Sequence, residues 1–263
     1  MRRALPITIL LLCALPFASA ATARSLQHVL NQGTLRVGVA LAAPWTLRDE
    51  SGELTGFEID VANKLAEDMQ VRAELLVYAF ADLIPALEAG EIDVIAAGLT
   101  ITPERALHVN FSQPYVSAGI SLATNSTRTA SVARFEELNA ETYKIAAVEN
   151  SVGAELARRL LPQADLVVFA SIETASEALL AGAVDAYLED EPVPTFLALE
   201  HGDTIDVPVA RPLLETHSGF AVGKGDPDFL AFLNAWITAR EADTWLPTTH
   251  RYWFRTLAWR DRR

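Results

Sequence analysis

The sequence predicts an α/β protein made of two lobes of similar design, each a mostly parallel sheet flanked by helices. Three observations carry this. β-type runs alternate with helix-patterned runs through most of the 263 residues, the order that yields parallel sheets covered by helices. "LIPALEAGEIDVIAAG" (83–98) and "ASEALLAGAVDAYLED" (175–190) repeat one grammar: a helix, Ala-Gly, an aspartate, then a strand. Late in the chain, the proline-limited "DVPVARPLL" (206–214) reads as extended and suits a return crossing between lobes.

The chain opens with "MRRALPITILLLCALPFASAATA". Two arginines, a short apolar run and small residues at 18–20 or 21–23 stand in secretory order, so 1–23 is expected to be a cleaved signal peptide. The run is too short for a membrane span. Leu12, before Cys13, is not the small residue a lipoprotein anchor needs, and Cys13 is expected to leave with the signal.

"LRVGVAL" (35–41) is a strand that Pro44 keeps from continuing. "SGEL" (51–54) is a turn. "GFEIDVANKLAEDM" (56–69) places Phe57, Ile59, Val61, Ala62, Leu65, Ala66 and Met69 mostly on one helical face. "AELLVY" (73–78) is a strand, "ADLIPALEAGEI" (81–92) a helix and "DVIAAG" (93–98) a strand. After "GISLATN" (119–125) the grammar restarts. "ARFEELNA" (133–140) is expected to be helical, "YKIAAV" (143–148) a strand and "GAELARRLLP" (153–162) a helix. "ADLVVFA" (164–170), "IETASEALLAGAV" (172–184) and "DAYLED" (185–190) complete strand, helix and strand. "DPDFLAFLNAWITAREADTWL" (226–246) is expected to be one long amphipathic helix, begun by Asp226 and Pro227.

The formal charge is −13, and removing Arg2 and Arg3 with an acid-free leader makes it −15. So acidic a chain repels polyanions, which excludes nucleic acid and anionic membrane surfaces as partners. Without cysteine, the mature chain has neither disulfides nor thiol chemistry, and its stability must come from a core. His28, His108, His201, His217 and His250 are scattered without chelating spacing, and no P-loop or G-x-S-x-G elbow appears. No metal or cofactor is expected.

The stretch "GLTITPERA" (98–106), directly after a buried-type strand, reads either as an ordinary capped surface helix or as a socket for an anion. The wider context favours the second. "GTLRVGV", "SGELTGFEIDVANKLAE", "LIPALEAGEIDVIAAGLTITPERALHVNFSQPY", "AGAVDAYLED" and "GFAVGKGDPDFLAFLNAWI" run through nearly all of the mature chain. In that order they resemble the periplasmic amino-acid-binding proteins of ABC importers, the solute-binding family 3 group. The resemblance implies a type II periplasmic-binding-protein fold. Lobe 1 would hold 25–121 plus 214–263 and lobe 2 would hold 122–213, with two hinge crossings between them. The lobes would close on a ligand in the cleft. It also implies periplasmic localisation, a monomer, and delivery of a polar amino acid or related small solute to a membrane permease.

Carried over residue by residue, the resemblance implies that Arg105 forks the ligand carboxylate, which a planar guanidinium does and a lysine cannot. Gly98 would supply a backbone contact and Thr100 a hydroxyl. Thr102 is read as the cap of a helix starting near Pro103, whose positive end would help hold the anion. Asp190 would receive the ligand ammonium, while Glu189 and Glu191 are read as ordinary solvated acids. In "ENSVG" (149–153), where the family has a Gly-Thr turn, Ser151 and the amides of Val152 and Gly153 would still donate to the carboxylate. Phe80 and Trp45 are read as packing against the ligand side chain. One departure stands out: "ALAAPW" places Ala42 where the family carries an aromatic over that side chain. The rival reading is a cyclohexadienyl (prephenate or arogenate) dehydratase on the same fold, with Glu149 or Glu189 as the acid.

Overall fold

A computed structural model describes residues 25–255 and Trp259; the expected signal peptide lies outside them. The chain enters through helix α1 (Leu26–Gln32) and strand β1 (Thr34–Val39), then a hairpin of β2 (Leu47–Arg48) and β3 (Leu54–Thr55). Helix α2 (Phe57–Asp68) leads to β4 (Arg72–Val77), and α3 (Leu83–Glu88) to β5 (Val94–Ile95). A four-residue helix, α4 (Arg105–His108), precedes β6 (Asn110–Phe111). Next come β7 (Val116–Asn125), β8 (Lys144–Val148), α5 (Val152–Leu160), β9 (Asp165–Phe169), α6 (Ile172–Leu180) and β10 (Ala186–Asp190). Helix α7 (Val193–Glu200), β11 (Ile205–Asp206), β12 (Leu214–Ser218), β13 (Ala221–Val222), α8 (Pro227–Ala242) and α9 (Trp245–Arg255) follow.

These strands form two main sheets. The first runs β4-β1-β5-β13-β6, with β1 parallel to both neighbours and β13 antiparallel to β5 and β6. The second runs β11-β7-β10-β8-β9, with β12 also on β7. There β9, β8 and β10 are parallel, and β7 is antiparallel to β10. Parallel pairing is confined to strands joined through a helix, because a parallel partner needs a crossover long enough to bring the chain back. Within the second sheet, β7 and β12 run as an antiparallel ribbon from Val116 opposite Ser218 to Ile120 opposite Leu214.

Each sheet is covered on both faces. Val37, Val39, Phe57, Leu65 and Phe229 belong to one buried cluster of the first sheet, and Leu83, Leu87 and Ile95 to another. In β10 the two-residue period sends Tyr187 to the cluster of Ala175, Leu179 and Leu197, and Ala186 and Leu188 to that of Ile120 and Leu156. Fully burying such a side chain contributes about 1.5–3 kcal/mol.

The repeated aspartate of the two similar segments does the same job twice. Asp93 donates its N–H to the Arg36 carbonyl at 2.8 Å. Its carboxylate accepts from Arg36 N at 2.8 Å and Nη2 at 2.7 Å. Asp185 donates to the Lys144 carbonyl at 2.8 Å. Its carboxylate accepts from Lys144 N at 2.7 Å and Arg128 Nε at 2.6 Å. Each aspartate thus locks the start of one strand to its parallel neighbour, which sets where both strands end.

Three local expectations need correction. "ARFEELNA" (133–140) forms only a single 3₁₀ turn, Phe135–Leu138. Arg134 before it is extended, and the Glu137 carboxylate takes the Ala133 N–H. Within 206–214 only the ends are strand, Asp206 closing β11 and Leu214 opening β12, and the residues between are irregular. The helix expected over 226–246 breaks at Asp243 and Thr244, where Thr244 has φ +68° and the Asp243 carboxylate caps the N–H of Trp245. The break turns α9 back onto α2, where Trp253 Nε1 donates to Asp60 at 2.7 Å. Among the described residues no helix is long and apolar enough to cross a membrane.

Replacing Asp185 with alanine strands the Lys144 N–H in the sheet and should destabilise the protein by about 1–3 kcal/mol. Urea unfolding measures this, and a loss below about 0.5 kcal/mol would show that the lock is dispensable.

Candidate ligand-binding cleft

Parallel strands followed by helices leave their carboxyl ends on one edge, where ligands of open α/β sheets bind. Here the ends of β1, β5, β8 and β10 meet around a cavity of about 390 Å³. Its lining includes Ala42, Trp45, Phe80, Gly98, Thr100, Arg105, Ser151, Val152 and Asp190, so the tertiary structure gathers all nine residues singled out from the sequence. A wider hollow of about 820 Å³ shares Phe80, Arg105, Ser151 and Val152 and opens towards Arg158 and Arg159, but Asp190 does not line it.

Arg105 reaches across the cleft. Its backbone N–H donates to Thr102 Oγ1 at 3.2 Å, which fixes the residue at the start of α4. Its Nη1 donates to the Thr100 carbonyl at 2.9 Å and its Nη2 to the Asn150 carbonyl at 2.8 Å. The guanidinium lies 5.5 Å from the centre of the Phe80 ring, a cation–π arrangement. Burial lowers its pKa, with Asp190, Glu155 and Glu104 opposing that, and an arginine stays charged under such a shift. One correction concerns the positive helix end expected here. α4 has four residues, too few for a useful dipole, and Thr102 and Pro103 stand outside it. The nine-residue α5 offers a real N-terminus at the cavity wall. Ser151 caps it, accepting the Ala154 N–H at 3.1 Å while its own hydroxyl proton remains to donate. Gly153 lets α5 approach this closely, since a Cβ there would stand 2.6 Å from the Leu188 carbonyl oxygen.

Asp190 ends β10 and accepts from the Thr216 hydroxyl at 2.9 Å. Burial pushes its carboxyl up to about 6, against the pull of the Thr216 hydrogen bond and the Arg105 charge. Glu189 is a second correction: it is buried at 5 % exposure and lines the cavity, not solvated as expected. Its carboxylate accepts from the Tyr187 hydroxyl at 2.8 Å and from Asp190 N at 2.9 Å. Burial first, then the Asp190 charge, push it up to about 7. The period of two in "DAYLED" carries the signal that was passed over, because Glu189 shares the buried face of Tyr187.

Gly98 has φ +61°, a conformation that favours glycine, and a Cβ there would sit 3.1 Å from the Trp45 ring. Both of its backbone groups are engaged: its N–H donates to Glu58 Oε1 at 2.7 Å, and its carbonyl accepts from Ser218 Oγ at 2.9 Å. Gly98 therefore shapes the floor. Glu58 was missed altogether. It is fully buried, also accepts the Tyr115 hydroxyl at 2.8 Å, and burial pushes it up to about 7. Thr100 is held beside Ser218 by a single bridge. Trp45, 5 % exposed, packs edge-on against Phe57 and Phe254 and forms more floor than wall. Ala42 exchanges backbone hydrogen bonds with Thr46 at 2.8 and 2.9 Å, leaving a methyl group on the cavity wall.

Comparison with known proteins agrees with this architecture. The chain is 27% identical over 230 residues to the L-cystine-binding protein TcyJ of Escherichia coli K12, covering 87% of this chain and 85% of that one. A lysine complex of a putative ABC-transporter binding component from Wolinella succinogenes has TM-score 0.82 and 28% identity, covering 88% of this chain and 99% of that one. The crystal structure of the ancestral amino acid-binding protein AncCDT-1, a precursor of cyclohexadienyl dehydratase, has TM-score 0.79 and 32% identity, covering 87% and 98%. The family model for bacterial extracellular solute-binding proteins, family 3, matches residues 35–256, from the second residue of β1 to just past α9. With the match running through both sheets and the cleft, the chain belongs to family 3 of the bacterial extracellular solute-binding proteins.

Proposed function

We propose that this protein is a periplasmic binder that captures a free amino acid or a related polar solute in the 390 Å³ cavity and delivers it, as a monomer, to an ABC-importer permease. One observation carries the reading: a guanidinium fork and a carboxylate, Arg105 and Asp190, line the same cavity. An α-carboxylate and an α-ammonium need that pair. Arg105, the Thr100 hydroxyl, the Ser151 hydroxyl and the first amides of α5 would hold the carboxylate. Asp190, pre-oriented by Thr216, would hold the ammonium. Phe80 and Trp45 would pack on the side chain, and the methyl of Ala42 leaves room there. The lobes, taken as 25–121 plus 214–263 and 122–213, would close about the β7–β12 ribbon, with the contact from Arg105 to Asn150 spanning the cleft.

The dehydratase reading draws on the likeness to a dehydratase precursor and on the buried Glu189. Against it, both Glu189 oxygens are already tied to the wall by protein donors, and the Arg105–Asp190 pair matches the two charges of a free amino acid. Incubation with prephenate or arogenate is expected to give no product between pH 5 and 9, and measured turnover would reverse the preference.

In a thermal-shift screen of free amino acids, the bound ligand should raise the melting temperature of the wild type. Arg105→Ala should abolish that rise, and Arg105→Lys should weaken affinity at least about tenfold, because one point charge replaces two parallel hydrogen bonds. Retained stabilisation in Arg105→Ala would remove the fork assignment. Affinity should also depend on pH. The ammonium stabilises ionised Asp190, so ligand binding lowers a carboxyl that sits near 6 in the empty cleft. Binding is then full above that pH and falls as pH drops through it, by about tenfold at pH 5 relative to pH 8. Calorimetric titration across this range checks the sign, and affinity rising towards pH 5 would contradict it.

A further inference from the structure

Within the proposed amino-acid cleft, the charges do not balance. Among the described residues Arg105 is the only cationic side chain lining the cavity, against three carboxylates: Asp190, Glu189 and Glu173. A ligand α-carboxylate consumes Arg105 and an α-ammonium consumes Asp190. Glu189 and Glu173 are left over, and neither has a cation of the protein beside it in this cavity. Glu189 sits at the carboxyl end of β10, 5 % exposed, and its hydrogen bonds come from a tyrosine hydroxyl and a backbone amide, neither carrying charge. Glu173 is exposed in the first turn of α6, beside the cavity-lining Ala170, Ser171 and Ile172. Much of the remaining wall is apolar, with Leu41, Ala42, Val77, Phe80, Ala97 and Ile172 among its residues.

We infer that the ligand is a cationic amino acid, its side chain ending in an ammonium or guanidinium group held by Glu189 and Glu173. This rests on the amino-acid reading above and names its substrate class. A buried carboxylate without a charged partner is costly, and a cation seated beside it offsets that cost. An uncharged side chain would leave the positive groups at Asp190 alone and none at Glu189 itself. Ala42 contributes by what it omits, leaving a long side chain free to pass towards α6. The Phe80 ring, already against the Arg105 guanidinium, offers an aromatic edge to the stem of such a side chain.

Calorimetric titration of the full mature chain with L-arginine, L-lysine, L-citrulline and L-glutamine tests this, since citrulline is an uncharged near-isostere of arginine. Arginine or lysine should bind at least about tenfold tighter than either uncharged amino acid. Glu189→Gln should erase most of that preference, with arginine and lysine losing far more affinity than citrulline and glutamine. Glu173→Gln, at an exposed position where folding is not at stake, should reduce the preference by about threefold. An uncharged amino acid bound as tightly as arginine and lysine, with binding lost in Arg105→Ala, overturns this inference and leaves the amino-acid reading standing. A cationic preference unchanged in both glutamine variants also overturns it. Absence of binding by any free amino acid overturns the reading and the inference together.

Discussion

A parallel strand joined to the next by a helix always delivers its carboxyl end to the same edge of its sheet. In this chain the constraint acts twice, and the two edges face one another across a single cavity. The loop after β5 brings Gly98, Thr100 and Arg105 from one side. The ends of β8 and β10 bring Ser151, Glu189 and Asp190 from the other. Asp93 and Asp185 set the registers that decide where those strands stop, so charged locks at the far ends of the strands fix the chemistry at the near ends.

The cleft is electrostatically poised because its acids are buried before any ligand arrives. Glu58, Glu189 and Asp190 are each pushed upward by loss of water, and each accepts a hydrogen bond from a neutral hydroxyl donor. Glu58 does so beneath the floor, holding the peptide of Gly98 in its left-handed conformation. Glu189 and Asp190 do so at the wall. In the proposed function the incoming positive groups replace the missing water, which makes recognition a matter of charge placed in advance.

Much of this was legible in the chain. The alternation of runs, the doubled helix-Ala-Gly-Asp-strand segment and the family resemblance led to the architecture and to a set of residues that share one cavity. The errors have local causes. "ARFEELNA" has helical composition, yet eight residues nucleate poorly once Glu137 spends its carboxylate on the Ala133 amide. The 226–246 helix breaks because Asp243 caps a new start, a local hydrogen bond that outweighs propensity when α9 gains a packing surface on α2.

Sequence periodicity determined the main parallel strands and which faces are apolar, and the family resemblance singled out Arg105 and Asp190. Only the tertiary structure decided what surrounds those charges. The Thr216 hydroxyl reaches Asp190 from 26 residues away, and the Asn150 carbonyl reaches Arg105 from 45. Glu189 looks like one acid in a solvated run until β7 and β8 close around β10 and strip its water away. Burial and long-range partners set a carboxyl's charge, and both exist only after the two sheets have formed.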